Sequence, residues 1–182
     1  MPGLGLRRLA LAVRRHINGK STFWGDAVGA NPTDRGKPGT KRSILTDASG
    51  GPLAAIVAPA NTHDTKLLSD TINSIIVERP SMTEESIQHL CLDKGYDNPT
   101  GHQAVAEHGY TGHIRRIGEE KLDEHAQKTH PARRWVVERT LAWLSRCRAI
   151  LVRYEKKACN YLGLIKMACI LLWFRRYWSA VF

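Results

Sequence analysis

The period at which apolar positions recur changes several times along this chain, and each change marks an element. Residues 25–40, GDAVGANPTDRGKPGT, are rich in Gly, Pro, Asn and Asp and hold no periodic apolar pattern, so they read as a loop. Two short apolar runs follow, Ser43–Asp47 and Leu53–Ala58, flanking Ala48-Ser49-Gly50-Gly51, which is the pattern of a hairpin with a glycine-containing turn. Between Thr62 and Glu78, Leu67, Leu68, Ile72, Ile75 and Ile76 recur at helical spacing, with Asn61 or Thr62 placed to cap and Pro80 beyond the end. Ile87–Asp93 is a mainly apolar run broken by Lys94-Gly95-Tyr96-Asp97-Asn98-Pro99, and it predicts a buried strand ending in Asp93. Thr100–His108 predicts a short helix closed by Gly109, and Tyr110–Ile117 another strand. Residues 118–131 read as an exposed connector; beyond them the pattern is helical almost to the terminus, with a break near Asn160–Gly163.

Hairpin, helix, strand, helix, strand, helix is the order of an α/β domain: a mixed sheet flanked by helices, with a long C-terminal helical segment. The opening strand of such a sheet should precede Lys41, where Lys20–Trp24 offers only a weak candidate, so that strand is expected to be incomplete or missing. Residues 1–24 then form a basic leader, disordered or out of frame, and 25–182 the folded domain. A length of 182 residues suits one core and not two.

Charge narrows the partners. Lys+Arg 27 against Asp+Glu 17 gives +10, and the excess lies at the two ends. Residues 1–20 hold Arg7, Arg8, Arg14, Arg15 and Lys20 with no acid, while 131–182 hold eleven Lys or Arg against Glu138 and Glu155. Nucleic acid is the first candidate partner on this ground. Cys91, Cys147, Cys159 and Cys169 form no C-x-x-C pair, so reduced, mostly buried thiols of a cytoplasmic protein are expected rather than zinc or disulfides. No signal peptide is read in the first 15 residues. Leu162–Phe174 is apolar but short of the ~20 residues a membrane span needs, and reads as a buried core helix.

Asp93, at the C-terminal end of a central strand, lies where open α/β sheets place their sites. Glu138 falls in the first turns of the helix beginning near Ala132, with Arg134 four residues earlier on the same face. If that helix crosses the sheet the two acids can converge, and converging carboxylates can hold two divalent ions for in-line attack on a phosphodiester. On spacing alone, an ordinary surface ion pair is the better account of the same residues.

Five ordered segments go further. Asn31-Pro-Thr-Asp-Arg-Gly-Lys37, the run from Lys41 to Leu53, Ala60-Asn-Thr-His-Asp64, Leu92-Asp-Lys-Gly-Tyr-Asp97, and Arg134-Trp-Val-Val-Glu-Arg-Thr140 with Arg153-Tyr-Glu155 together resemble the IS5-like branch of the IS4/IS5 insertion-sequence transposases, over about residues 25–178. The resemblance implies an RNase H-like DDE domain, partial here, that uses two Mg²⁺ or Mn²⁺ ions to cut and join DNA at the ends of a mobile element. It places the second acid on Asp93 and the third on Glu138, with Arg134 in support. It also implies double-stranded DNA as partner, a homo-oligomer on that DNA, no membrane, and a bacterial cytoplasmic location. Arg35, Lys37, Lys41, Arg42, Arg139, Arg146, Arg148 and Arg153 are the cations expected to meet DNA. Two positions depart from the pattern. The family's first acid belongs before the Asn31 segment, yet residues 1–25 contain no Asp or Glu, and the lysine-like position seven residues after Glu138 is Ser145. The expected function is therefore a DNA transposase catalytic domain impaired in this copy, with a non-catalytic DNA-binding remnant as the alternative.

Other residues have plainer roles. Asp26 lies in the loop, Asp47 suits a hairpin cap, and His63-Asp64 suits a helix cap better than a metal pair. Trp135, Trp143, Trp173 and Trp178 are expected in core and interface packing, with base stacking by any one of them the minor reading. His102, His108, His113, His125 and His130 show no ligand spacing.

Overall fold

The structure is a computed structural model that describes residues 10–13, 17–78, 87–114 and 134–181. Its strands are β1 (Ala10–Val13), β2 (Ile17–Ser21), β3 (Gly29–Ala30), β4 (Pro38–Thr46), β5 (Pro52–Pro59), β6 (His89–Leu92), β7 (Thr111–Ile114) and β8 (Val152–Arg153). The helices are α1 (Leu68–Asn73), α2 (Pro99–Glu107), α3 (Arg134–Ser145), α4 (Arg148–Leu151) and α5 (Ala158–Val181).

β4 organises the sheet. Seven of its nine residues, Thr40–Thr46, pair with β5 along one side, in the hairpin that the Ala48–Gly51 turn predicts, and Pro38 and Gly39 pair with β3. Along the other side it pairs antiparallel with β1 at its C-terminal end and with β2 over its N-terminal half. β1 and β2 thus serve in succession as the central strand, β1 pairing parallel with β6 and β2 with β8; β6 in turn pairs parallel with β7. The opening strand is present, which corrects the expectation that it would be incomplete or missing. The candidate Lys20–Trp24 shares only Lys20 and Ser21 with it. Ala/Leu/Val composition hid β1, because a run without alternation carries no period-2 signal.

Each sheet face buries its own cluster, as the period of 2 along β4 requires. One face packs Leu45, Leu90 and Leu92 against Leu68, Ile72, Ala104 and Val105, so α1 and α2 cover it. The other packs Ile44 and Ala55 against Val137, Leu141, Leu144, Tyr161, Ile165 and Leu172, so α3 and α5 cover that one.

Three boundaries differ from the pattern. The helix expected over 62–78 is a 3-10 turn, Asp64–Leu67, followed by the six residues of α1; His63, not Asn61 or Thr62, caps it. The C-terminal helical stretch breaks at 146–157, where α4 and β8 intervene, and runs unbroken through Asn160–Gly163. α5 is also longer than its apolar run: Ala158–Trp178 alone is long and apolar enough to cross a membrane by length and composition. Its inner face is buried in the core, but its outer face is exposed, so it is a core helix on one side only. The connector expected at 118–131 lies outside the described residues.

Candidate active site

β6 ends at Leu92, paired with Val13 of the central strand, and Asp93 is the next residue. Asp93 stays extended (φ −74°, ψ 157°) and caps the following 3-10 turn, its carboxylate accepting from the Lys94 amide at 2.8 Å. Along β6, Leu90 and Leu92 point into the α1/α2 cluster, whereas Cys91 packs against the α3/α5 cluster. By the same alternation Asp93 belongs to the face that α3 covers.

α3 is seated on that face by the hairpin turn. Thr140 Oγ1 donates to the Gly50 carbonyl at 2.7 Å, and Arg139 Nη2 donates to the Ser49 carbonyl at 2.7 Å. Arg176 of α5 reaches the same Ser49 oxygen, so the Arg139 flank of α3 faces α5. Val137, Leu141 and Leu144 point into the core. At 100° per residue, Glu138 and Ser145 fall on the flank of α3 opposite Arg139. Glu138 is exposed, Asp93 half-buried. Ser145, in place of a cation, donates its hydroxyl to the Leu141 carbonyl at 2.9 Å.

Few other acids among the described residues could join Asp93 and Glu138. Residues 10–25, which supply β1 and β2, contain no acid. Asp47, half-buried at the hairpin, spends Oδ1 on the Ser49 amide and hydroxyl and the Gly51 amide, at 2.7–2.8 Å, which is the turn cap its position suggests. Asp64 sits on the other face: Lys41 Nζ donates to it at 2.6 Å and also to the Thr62 carbonyl, and both side chains are nearly buried. His63 is not a metal partner but an ordinary cap, accepting from Thr65. Tyr96 stands close to both acids. Burial, then the charges of Asp64 and Asp93, hold its phenol well above the usual range for tyrosine. Among the described residues no three His, Cys, Asp or Glu side chains converge as a metal-binding group. An arrangement of two ions about 4 Å apart needs more carboxylate than Asp93 and Glu138 supply, so the donor set of the described residues does not fit a two-ion site.

Of the eight cations expected to meet DNA, three are spent inside the protein. Lys41 is paired with Asp64. Arg42, 3% exposed, donates to the Ile150 carbonyl at 3.2 Å. Arg153, fully buried, donates to Thr40, Ala27, Glu155 and Lys156 and lies 5.5 Å over the Tyr161 ring; burial lowers its pKa, against the opposing pull of Tyr161, Asp26 and Glu155. Arg35, Lys37, Arg146 and Arg148 are exposed, and Arg139 is half-buried between the Trp135 and Trp143 rings at 4.8 and 5.1 Å. Trp135 and Trp178 are more than half exposed. His89 was not singled out by spacing, yet its Nδ1 lies 2.8 Å from His113 Nε2 on the neighbouring strand. Strand alternation, which puts His89 and Cys91 on one face, was the signal available.

The family described as Transposase DDE domain matches residues 12–173 of this chain. A Burkholderia cepacia protein assigned as the transposase for insertion sequence element IS402 is 34% identical over 171 residues, which are 92% of this chain and 78% of that protein.

Proposed function

The chain belongs to the transposase DDE domain family, and from that premise we propose that it is a DNA-binding transposase domain of the IS5-like branch whose strand-transfer chemistry is impaired. The reading is supported by the position of Asp93 directly after β6, beside the central strand, and by the packing of α3, the helix that carries Glu138, on the sheet face that Cys91 shares. The strand order β5-β4-β1-β6-β7, antiparallel through β1 and parallel thereafter, supports an RNase H-like arrangement. Asp93 and Glu138 are the acids that would face a divalent ion such as Mg²⁺ or Mn²⁺, with Arg134 in support. Such an ion, when bound, would supply Lewis acidity at a phosphodiester. The chain's own residues do the rest: Arg35, Lys37, Arg146 and Arg148 present charge to the DNA backbone, and Arg139 completes that surface from α3. Double-stranded DNA in the bacterial cytoplasm is the partner.

Impairment follows from the donors. A central strand without an acid removes a carboxylate that would touch the ion itself, and even losses one shell further out cost 10–100-fold. The test is end cleavage of a duplex carrying the element's own termini by the purified 182-residue chain in Mg²⁺ and Mn²⁺, alongside equilibrium binding to the same duplex. The expected result is binding whose affinity falls steeply from low to physiological salt, with little or no cleavage. Efficient cleavage abolished by Asp93→Asn would overturn the impairment, and salt-independent binding would overturn the DNA reading.

A further inference from the structure

Two adjoining loops at one end of the sheet present aromatic rings to solvent. β2 and β8 run parallel and side by side, with Ser21 level with Arg153, so the chain leaves both strands in the same direction. The loop after β2 carries Phe23 and Trp24 and the loop after β8 carries Tyr154; the three side chains are 49%, 62% and 63% exposed. A single exposed aromatic residue is ordinary, whereas several on neighbouring loops mark an interaction surface. The two loops are laced to each other. The Thr22 amide donates to the Arg153 carbonyl at 2.9 Å, and Ser21 Oγ donates to the Phe23 carbonyl at 2.7 Å. Arg153, fully buried, donates to the carbonyls of Glu155 and Lys156 on one side and of Ala27 on the other. Gly25 approaches so closely that an added Cβ would stand 2.6 Å from the Lys156 carbonyl oxygen.

Cations are interleaved with the rings. Lys156 Nζ lies 5.8 Å from the centre of the Phe23 ring, and Lys20, Lys156 and Lys157, on the same two segments, are all exposed. The acids of the two loops, Asp26 and Glu155, are near enough to act on the buried Arg153 charge. β2, β8 and β6 all run opposite to β4, so these loops open at the same end of the strands as Asp93, the end at which open α/β sheets take their ligands.

We propose that Phe23, Trp24 and Tyr154 form a stacking platform for a short run of single-stranded DNA, with Lys20, Lys156 and Lys157 facing its phosphates. This rests on the DNA reading for the chemistry of the occupant and goes beyond it in the state of the strand. Exposed rings set among ammonium groups match a strand with unpaired bases, which offers a face to stack on each ring and a charge for each cation. An intact duplex cannot use them in that way, because its bases are stacked on one another and show only their edges in the grooves. A purely apolar protein surface would meet the rings and leave the ammonium groups unanswered. The position at the Asp93 end of the strands suits DNA that is opened beside that residue.

Fluorescence anisotropy of the full chain, without metal, tests the platform with a labelled short oligothymidylate and, at the same ionic strength, with a blunt duplex. Trp24→Ala and Tyr154→Ala are each expected to weaken oligothymidylate binding roughly tenfold, as the loss of one stacked base predicts, and to change duplex binding less than about twofold. Trp24→Phe should recover most of the loss, and the circular-dichroism spectrum should be retained because the rings are exposed. Should the variants fail to fold, the unaltered chain gives a second measure: a strand carrying 5-bromodeoxyuridine is expected to cross-link to Trp24 or Tyr154 under ultraviolet light. Oligothymidylate affinity unchanged in both alanine variants, equal losses for single strand and duplex, tighter binding of oligouridylate than of oligothymidylate, or cross-links confined to other residues would each overturn the proposal. Duplex binding without oligothymidylate binding would overturn the platform alone and spare the DNA reading, whereas binding of neither would overturn both.

Discussion

Lys41 places an ammonium group in the middle of a strand that is otherwise buried along nearly its whole length, which is tolerable only because Asp64 and the Thr62 carbonyl receive it. The pair fastens the chain between β5 and α1 onto the sheet. Removing one partner of a buried pair typically costs about 3–5 kcal/mol, because the other charge stays buried, whereas replacing both by apolar groups can be nearly neutral. Urea unfolding should therefore show Lys41→Met and Asp64→Leu each strongly destabilised and the double variant recovering much of the loss. Additive losses would show that the two residues do not act as a pair. Thr140 poses a smaller version of the same problem. Its hydroxyl is buried and satisfies the Gly50 carbonyl, itself fixed by a φ of +89°. Thr140→Val keeps the shape and leaves the carbonyl unanswered, for an expected loss of about 1–3 kcal/mol by the same measurement.

At the scale of elements, the position of each helix depends on contacts that its own sequence does not specify. α2 starts with Asn98 capping the Gly101 amide at 2.9 Å, and Pro99 follows at its first position, one residue ahead of the start expected at Thr100. What seats α2 against the Asp93 loop is Gly101, where an added Cβ would lie 2.2 Å from the Tyr96 carbonyl oxygen, a backbone atom that cannot swing aside. Gly101→Ala should lower the thermal midpoint by several degrees and disturb the environment of Tyr96, checked by calorimetry and near-ultraviolet circular dichroism. An unchanged midpoint would show that α2 is free to shift. β8 is a second case. Two residues long, it would count for little as a strand, yet Arg153 within it ties β4, the loop at Ala27 and the turn at Glu155–Lys156 together. The planar fork of a guanidinium makes those bonds at once, and a lysine could make only some of them.

The whole molecule carries buried acids whose titration couples to folding. Burial, then the neighbouring Cys147, pushes the Cys169 thiol from 9.0 up to about 11, and burial raises Tyr96 above its ordinary 10.0 as well. Both are neutral in the folded protein, and the unfolded chain releases these protons at lower pH. Their contribution is therefore complete below pH 9 and is lost as pH rises through the folded value. At about 1.4 kcal/mol per pH unit, Cys169 alone accounts for roughly 2–3 kcal/mol lost between pH 9 and 11. Thermal midpoints should fall over that window, and less steeply in Cys169→Ala. Equal slopes in the two proteins would show that Cys169 is not the group responsible.

How much of this was legible depends on the range of the interaction responsible. The hairpin, the strand ending at Asp93, the Asp47 turn cap and the apolar face of α3 rest on neighbours within a few residues, and the order of motifs carried the family. Local pattern did not reveal β1, whose run of Ala, Leu and Val has no alternation and becomes a strand by pairing with β4 and β6, residues distant in the chain. Nor did it separate the cations. Lys41, Arg42 and Arg153 read like Arg35 and Arg146 in sequence, and only the folded sheet decides which charges are enclosed with partners and which stay exposed. The outer face of α5 shows the same division. Composition alone made the helix apolar over most of its circumference, but which side meets the core follows from how β5 and α3 pack, because burial belongs to the assembled molecule and not to any one segment.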